Sequence, residues 1–238
     1  MKKHIPNTLT CLNLVCGCLS IMGALKGNLE AAAIFIIIAA VFDFLDGFAA
    51  RLLKVSSDIG KELDSLSDVV SFGVAPGMII YAWLVRCTAG ISPLHQGVFY
   101  EFLPFIALLV PALSAVRLAR FNLDENQSTS FYGLPTPANA MFLGFLPLAA
   151  ERLVFLNNFW VVWVLTVLFS ILLVSPIWML SLKFKDFKWK GLNIARYILI
   201  ILGAIMIPIF GWGAFPIIIM GYIILSLLYH ALIKLQVV

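Results

Sequence analysis

The fold is decided by one polar stretch of an otherwise apolar chain, Asp43-Phe-Leu-Asp46-Gly47-Phe-Ala-Ala50-Arg51, which is followed by Gly60, Asp64 and Asp68. Residues three or four positions apart share a helical face, so Asp43 and Asp46 lie together if their segment is helical. The same rule places Asp64 and Asp68 on one face of a second helix. Two neighbouring helices would therefore direct four carboxylates into one pocket.

The composition around this stretch is that of a membrane protein. Of the 238 residues, 62% are hydrophobic and 12% are charged, whereas a soluble domain carries about 25% charged residues. We therefore predict an all-α, polytopic integral membrane bundle that forms a single domain over residues 1–238. The four cysteines show no metal-binding spacing with histidines, and we expect neither a disulfide framework nor a nucleic-acid partner.

Apolar segments predict about eight transmembrane helices, at residues 8–25, 29–53, 62–85, 99–121, 138–150, 159–182, 192–209 and 215–235. If the chain starts in the cytoplasm, the outer connections hold three of the sixteen lysines and arginines, namely Lys26, Arg86 and Arg152. Basic residues are concentrated in cytoplasmic connections. This asymmetry predicts that both termini are cytoplasmic and that the polar stretch faces the cytoplasm.

Carboxylates at membrane depth need a cause, because a charged side chain at the bilayer centre costs about 2.5–3.5 kcal/mol on insertion scales. Four carboxylates also repel one another unless cations or protons offset their charge. Oxygen ligands suit Mg²⁺, Mn²⁺ or Ca²⁺, and paired divalent ions suit phosphoryl transfer. The alternative is that these acids only end two helices and pair with Arg51 and Lys61. That alternative leaves Asp43 unexplained, since it lies eight residues before Arg51, about 12 Å along a helix.

The pattern Asp-x₂-Asp-Gly-x₂-Ala-Arg-x₈-Gly-x₃-Asp-x₃-Asp resembles the signature of the CDP-alcohol phosphotransferase family, and all eight of its positions are filled here. Three further runs resemble the phosphatidylserine synthase branch of that family. They are the segment 62–76, Arg117-Leu-Ala-Arg120-Phe-Asn122 and Phe131-Tyr-Gly-Leu-Pro-Thr-Pro137.

This resemblance implies a multi-pass enzyme of the cell membrane, working as a homodimer among membrane lipids. It would transfer the phosphatidyl group of CDP-diacylglycerol to L-serine with one or two Mg²⁺ or Mn²⁺ ions. Asp43, Asp46 and Asp64 would hold the metal, and Asp68 would complete the site or act as the general base. The predicted nucleotide and diphosphate contacts are Asn7, Thr10, Asp46, Gly47, Ala50, Arg51, Gly60 and Lys61. The predicted acceptor or phosphate contacts are Arg117, Arg120 and Asn122.

Several of these assignments have alternatives. Asn7, Thr10 and Asn13 form a polar stripe that indicates a face turned toward a site, but a residue such as Asn7 would equally serve as a helix N-cap. Arg117 and Arg120 would also suit snorkelling at the membrane surface. Glycerol 3-phosphate or inositol phosphate is an alternative acceptor, although a phosphorylated acceptor would demand more basic residues. A cation transporter would also bury aspartates, but it would usually show inverted repeats, and no matching acidic cluster follows Arg152.

Overall fold

The computed structural model describes residues 4–55, 57–89, 98–123, 131–182 and 189–236. Over these residues the chain is helical, apart from one pair of two-residue strands. Its first helices are α1 (His4–Leu25) and α2 (Leu29–Leu53). The turn between them is closed by Asn28, whose side chain accepts a hydrogen bond from the backbone of Ala31 at 3.1 Å.

The second half of the polar stretch lies on a long composite helix. It consists of α3 (Asp58–Asp68), a π-helical segment (Val69–Val74) and α4 (Ala75–Ala89). Ser57 caps its start, because the Ser57 hydroxyl accepts a hydrogen bond from the Gly60 N–H at 3.1 Å. The π-helical segment starts directly after Asp68. Such segments are rare and frequently mark functional sites.

The remaining elements follow in chain order. They are α5 (Val98–Phe102), a 3₁₀ segment (Leu103–Leu108), α6 (Leu109–Leu123), β1 (Phe131–Tyr132), α7 (Thr136–Ala149), a 3₁₀ turn (Val154–Asn157), α8 (Phe159–Val174), β2 (Trp178–Met179), α9 (Leu192–Phe210), a 3₁₀ turn (Gly211–Gly213) and α10 (Ala214–Gln236). The two strands pair antiparallel, with Phe131 opposite Met179.

One predicted helix is wrong at its end. We expected a helix over residues 159–182, but α8 ends at Val174. Ser175 adopts an extended conformation with ψ 152°, because the residue before a proline is disfavoured in the helical region. After Pro176 the chain stays extended and forms β2.

Five stretches of the described residues are long and apolar enough to cross a membrane, by length and composition alone. They are His4–Leu25, Leu29–Leu53, Asp58–Thr88, Tyr100–Leu123 and Leu192–Ala231. The last stretch contains α9 and α10, which fold back on each other, since Gly203 faces Ile218 and Gly221 faces Leu202. The structure is thus that of a helical membrane protein, as the sequence predicts.

The centre of the bundle is α7, which is buried along almost its whole length. Phe142 stacks on Phe169 of α8, and Phe145 contacts Phe215 of α10. A Cβ placed on Gly144 would lie 2.7 Å from the Ile36 side chain of α2. A helix that is apolar on all sides belongs in an interior, and α7 therefore holds α2, which carries the first half of the polar stretch, against the rest of the bundle.

Candidate active site

Helix α1 is tied to the composite helix by serine hydroxyls on either side of Asp68. Ser67 donates to the backbone oxygen of Thr10 at 3.2 Å, and Ser71 donates to that of Asn13 at 3.0 Å. At Gly17 the two helices approach so closely that an added Cβ would lie 2.8 Å from the Cα atom of Ser71. The register between α1 and the π-helical segment is therefore fixed at the depth of the carboxylates.

Three of the four predicted carboxylates come together. Oxygen atoms of Asp43 from α2 and of Asp64 and Asp68 from α3 all lie within 4.8 Å of one another. Asp43 lies within hydrogen-bonding reach of both other carboxylates. We call Asp43, Asp64 and Asp68 the acidic triad.

The acidic triad fits a divalent cation. One oxygen of Asp64, Oδ1, is buried and has no hydrogen-bond partner among the described residues. An acceptor in that state is costly unless a ligand or solvent satisfies it. Three carboxylates in contact also need positive charge between them. Mg²⁺ and Mn²⁺ prefer this type of all-oxygen site, so the donor set agrees with the predicted metal.

Asp46 is placed differently from the triad. It is buried, and its Oδ2 accepts a hydrogen bond from the Thr10 hydroxyl at 2.6 Å. The side chain thus spans from α2 to α1 instead of joining the close contact of the other three. Thr10, which we expected at the nucleotide, contacts a signature carboxylate directly.

A first cleft of about 580 Å³ opens beside Asp46 and contains most of the predicted nucleotide contacts. Its lining residues are Pro6, Asn7, Thr10, Asp46, Gly47, Ala50, Val55, Ser57, Gly60, Lys61 and Asp64. A Cβ on Gly47 would meet no protein atom within 4 Å. Packing therefore does not require glycine at this position, whereas a ligand lying close to the backbone would.

Two other predicted nucleotide residues have distinct surroundings. A Cβ on Gly60 would lie 3.0 Å from the Ser57 hydroxyl and 3.2 Å from the Asn7 side-chain oxygen, so this glycine allows the first turn of α3 to approach α1. Arg51 is exposed, and its Nε donates to the backbone oxygen of Gly47 at 3.0 Å. The Arg51 guanidinium is thus folded along its own helix, outside the lining of the first cleft.

A second cleft of about 630 Å³ lies on the other side of the triad. Its lining residues are Asp64, Ser65, Asp68, Arg117, Leu118, Phe121, Asn122, Pro135, Thr136 and Pro137. Arg117 donates to the Thr136 hydroxyl at 2.8 Å, and its Nε is buried without a partner in the described part of the chain. Asn122 donates to the Ser65 hydroxyl at 2.8 Å. Asp64 lines both clefts, so the triad lies between the cleft that contains most of the predicted nucleotide contacts and the cleft that contains Arg117.

Arg120 is the predicted acceptor residue that does not line the second cleft. It is exposed, and it donates weakly to the backbone oxygen of Val174 at 3.4 Å. It lines a third, wider cleft of about 1190 Å³, which Arg117 and Phe121 share. Arg120 therefore stands at an approach to the second cleft.

Asn13 contacts the triad, although the sequence assigned it no individual role. It is fully buried, and its Nδ2 donates to Oδ1 of Asp68 at 3.3 Å. The polar stripe with Asn7 and Thr10 was the signal for this contact. The stripe predicted which face of α1 meets the site, but it did not predict that Asn13 bonds to Asp68.

Comparisons with known proteins identify similar sequences. A family model described as CDP-alcohol phosphatidyltransferase matches residues 3–175. A CDP-diacylglycerol–serine O-phosphatidyltransferase of Bacillus subtilis is 37% identical over 145 residues, covering 59% of this chain and 73% of its own. One of Helicobacter pylori is 31% identical over 201 residues, covering 83% and 78%. An archaetidylserine synthase of Methanothermobacter thermautotrophicus is 38% identical over 140 residues, covering 58% and 54%.

Proposed function

The chain belongs to the CDP-alcohol phosphatidyltransferase family, and from this premise we propose that it is a CDP-diacylglycerol–serine O-phosphatidyltransferase. It transfers the phosphatidyl group of CDP-diacylglycerol to the hydroxyl of L-serine and releases CMP. The names of its relatives support the acceptor. The observation that carries the proposal is the acidic triad between two clefts, with its oxygen atoms within 4.8 Å of one another.

The donor occupies the first cleft. Its diphosphate lies toward Asp64 and its cytidine toward Asn7, Thr10 and the open space above Gly47. The exposed Lys61 side chain at the cleft provides a positive charge for the diphosphate. The acyl chains remain in the lipid, which suits a cleft at the end of membrane-spanning helices. Arg51 reaches the diphosphate only if its bond to Gly47 opens.

Asp43, Asp64 and Asp68 would hold Mg²⁺ or Mn²⁺, and Asp46 would contribute from the edge of the first cleft. A bound divalent ion polarises the phosphoryl oxygens and offsets the charge of the departing CMP. The carboxylates alone would repel the diphosphate. The unpartnered Oδ1 of Asp64 supports this donor set.

Serine enters the second cleft, where Arg117 binds its carboxylate through the guanidinium, whose Nε has no hydrogen-bond partner among the described residues. Asp68 takes the proton from the serine hydroxyl as that oxygen bonds to the phosphatidyl phosphorus. The bond between this phosphorus and the CMP oxygen breaks, and CMP leaves through the first cleft. Asn122, held by Ser65, and Arg120 at the approach complete the acceptor side.

The same proposal gives the enzyme's place in the cell. The chain forms one domain with eight crossings of the cell membrane, both termini in the cytoplasm and the clefts open to the cytoplasm. The asymmetry of basic residues and the α9–α10 hairpin support this arrangement. Assembly as a homodimer rests on the family resemblance.

The test is an acceptor comparison with the purified protein. CDP-diacylglycerol is incubated with labelled L-serine, glycerol 3-phosphate or inositol phosphate, in Mg²⁺, in Mn²⁺ or in EDTA. We expect phosphatidylserine and CMP in equal amounts, only with serine and only with a divalent ion. Product formed from another acceptor would replace serine in the proposal, and CMP release that needs no alcohol would overturn the transferase reaction.

A further inference from the structure

In the described part of the chain, Asn13 is the α1 side chain that hydrogen-bonds to the acidic triad, and the family signature does not include it. Its side chain is 0% exposed. Its Nδ2 donates to Oδ1 of Asp68 at 3.3 Å, whereas its own Oδ1 has no partner among the described residues. The Asn13 amide therefore bonds to the triad through its nitrogen, while its oxygen has no partner among the described residues.

The backbone on both sides of this contact is held in place. Ser71 donates to the backbone oxygen of Asn13 at 3.0 Å, and Ser67 donates to that of Thr10 at 3.2 Å. These serines flank Asp68 in the chain. The close approach at Gly17 adds a third contact one turn further along α1. Asn13 and Asp68 are thus presented to each other by a rigid helix pair.

Packing alone does not explain an asparagine here. A buried amide oxygen without a partner destabilises a protein, and an apolar side chain of the same size would avoid that cost. Ser20 shows the contrast on the same face of α1, seven residues later. It is equally buried, but its hydroxyl is satisfied by the backbone oxygen of Ala32 at 2.7 Å. The gain that Asn13 offers is its hydrogen bond to Asp68.

We propose that Asn13 is a positioning residue that holds Oδ1 of Asp68, so that the other carboxylate oxygen is presented to the acceptor hydroxyl in the second cleft. This inference rests on the proposed function, in which Asp68 takes the acceptor proton. The bond from Asn13 restricts rotation of the Asp68 carboxylate, so that its oxygens keep fixed directions toward the metal site and the second cleft, whereas an unheld carboxylate rotates. Asn13 therefore contributes to turnover without touching either substrate.

The variants are Asn13→Ala, which removes the donor, and Asn13→Asp, which keeps the shape but replaces the donor with a second negative charge. The matched control is Ser20→Ala, which removes one buried hydrogen bond from the same helix face.

We expect both Asn13 variants to lower kcat by about 10- to 100-fold, the usual effect of losing a partner of a ligating group. The KM values for CDP-diacylglycerol and serine stay within about twofold, because only the transition state loses an interaction. Ser20→Ala lowers the melting temperature and keeps kcat.

Three results would overturn the inference: an Asn13→Ala kcat within about threefold of the native enzyme, an equal loss in Ser20→Ala, or a loss that lies in KM. The isosteric Asn13→Asp decides the question if Asn13→Ala does not fold. Calorimetric binding of CDP-diacylglycerol by each variant shows whether the donor site survives independently of activity. A native protein that makes no phosphatidylserine contradicts the proposed function, whereas an active native protein with unaffected Asn13 variants contradicts only the positioning role.

Discussion

Asp68 is the residue at which the metal site and the acceptor side of the reaction meet. It belongs to the acidic triad and lines the second cleft. Replacing Asp68 with Asn removes the proton acceptor, and we expect kcat to fall by about 10²- to 10⁴-fold, while calorimetry still detects donor binding. The control is Asp58→Asn, the same change at an exposed position on α3. Near-normal CMP release by Asp68→Asn would remove Asp68 as the base.

Gly47 is a position where the proposed substrate, and not the packing of the protein, requires glycine. A Cβ there meets no protein atom within 4 Å, and alanine in a helix interior is more favourable than glycine by about 1 kcal/mol. Gly47→Ala should therefore keep or raise the melting temperature. The methyl group enters the first cleft, where an overpacking cost of about 1–3 kcal/mol raises the donor KM by about 5- to 150-fold.

The matched control for Gly47 is Gly203→Ala on α9, where the added Cβ makes only an ordinary contact, 3.8 Å from Ile218. We expect this variant to leave the donor KM unchanged. Equal KM values for Gly47→Ala and the native enzyme would show that the donor does not lie against this part of α2.

At the scale of elements, the contact between α1 and the π-helical segment sets the geometry of the site. A Cβ on Gly17 would lie 2.8 Å from the backbone Cα of Ser71, so the two helices must separate to accept it. We expect Gly17→Ala to lower stability by about 1–3 kcal/mol and to lower kcat as well, because α1 also carries Thr10 and Asn13. Thermal unfolding and kcat are measured together. A stable Gly17→Ala enzyme with normal kcat would show that the register of α1 is not critical.

Elements bounded by local signals were predictable from the sequence. The bounds of α2 agree with the prediction of 29–53, because the apolar run is bracketed by Asn28 and Lys54. The end of α8 was not predicted, since the apolar run continues past Pro176 to residue 182. The π-helical segment was not predicted either, because hydrophobic periodicity does not distinguish it from an α-helix.

The site was predictable where helical spacing alone decides it. The separation of Asp64 and Asp68 by four residues placed both on one face, and the structure brings Asp43 to them. The bond from Thr10 to Asp46 and the bond from Asn13 to Asp68 were not predicted. The first depends on which face of α1 packs against α2 and the second on which face packs against α3, and these are long-range contacts that no local pattern specifies.

For the whole molecule, the proposed eight crossings require that α7 spans the membrane. This helix has 14 residues, about 21 Å at 1.5 Å per residue, whereas the hydrocarbon core is about 30 Å thick. A short helix can still connect the two sides when its neighbours bury it, because its ends then need not reach the lipid headgroups. The burial of α7 by α2, α8 and α10 meets that condition. Eight crossings therefore remain compatible with five long apolar stretches.

This arrangement predicts that Asp58 and Glu151 lie on opposite sides of the membrane. Both are exposed, Asp58 at the start of α3 and Glu151 directly after α7. In a background whose four cysteines are replaced by alanine, Glu151→Cys should react with a membrane-impermeant maleimide in intact cells. Asp58→Cys should react only after permeabilisation, because the polar stretch and the clefts face the cytoplasm. Labelling of both cysteines from the same side would mean that the chain between them crosses an even number of times. In that case α7 is a buried re-entrant helix and the count of eight is wrong.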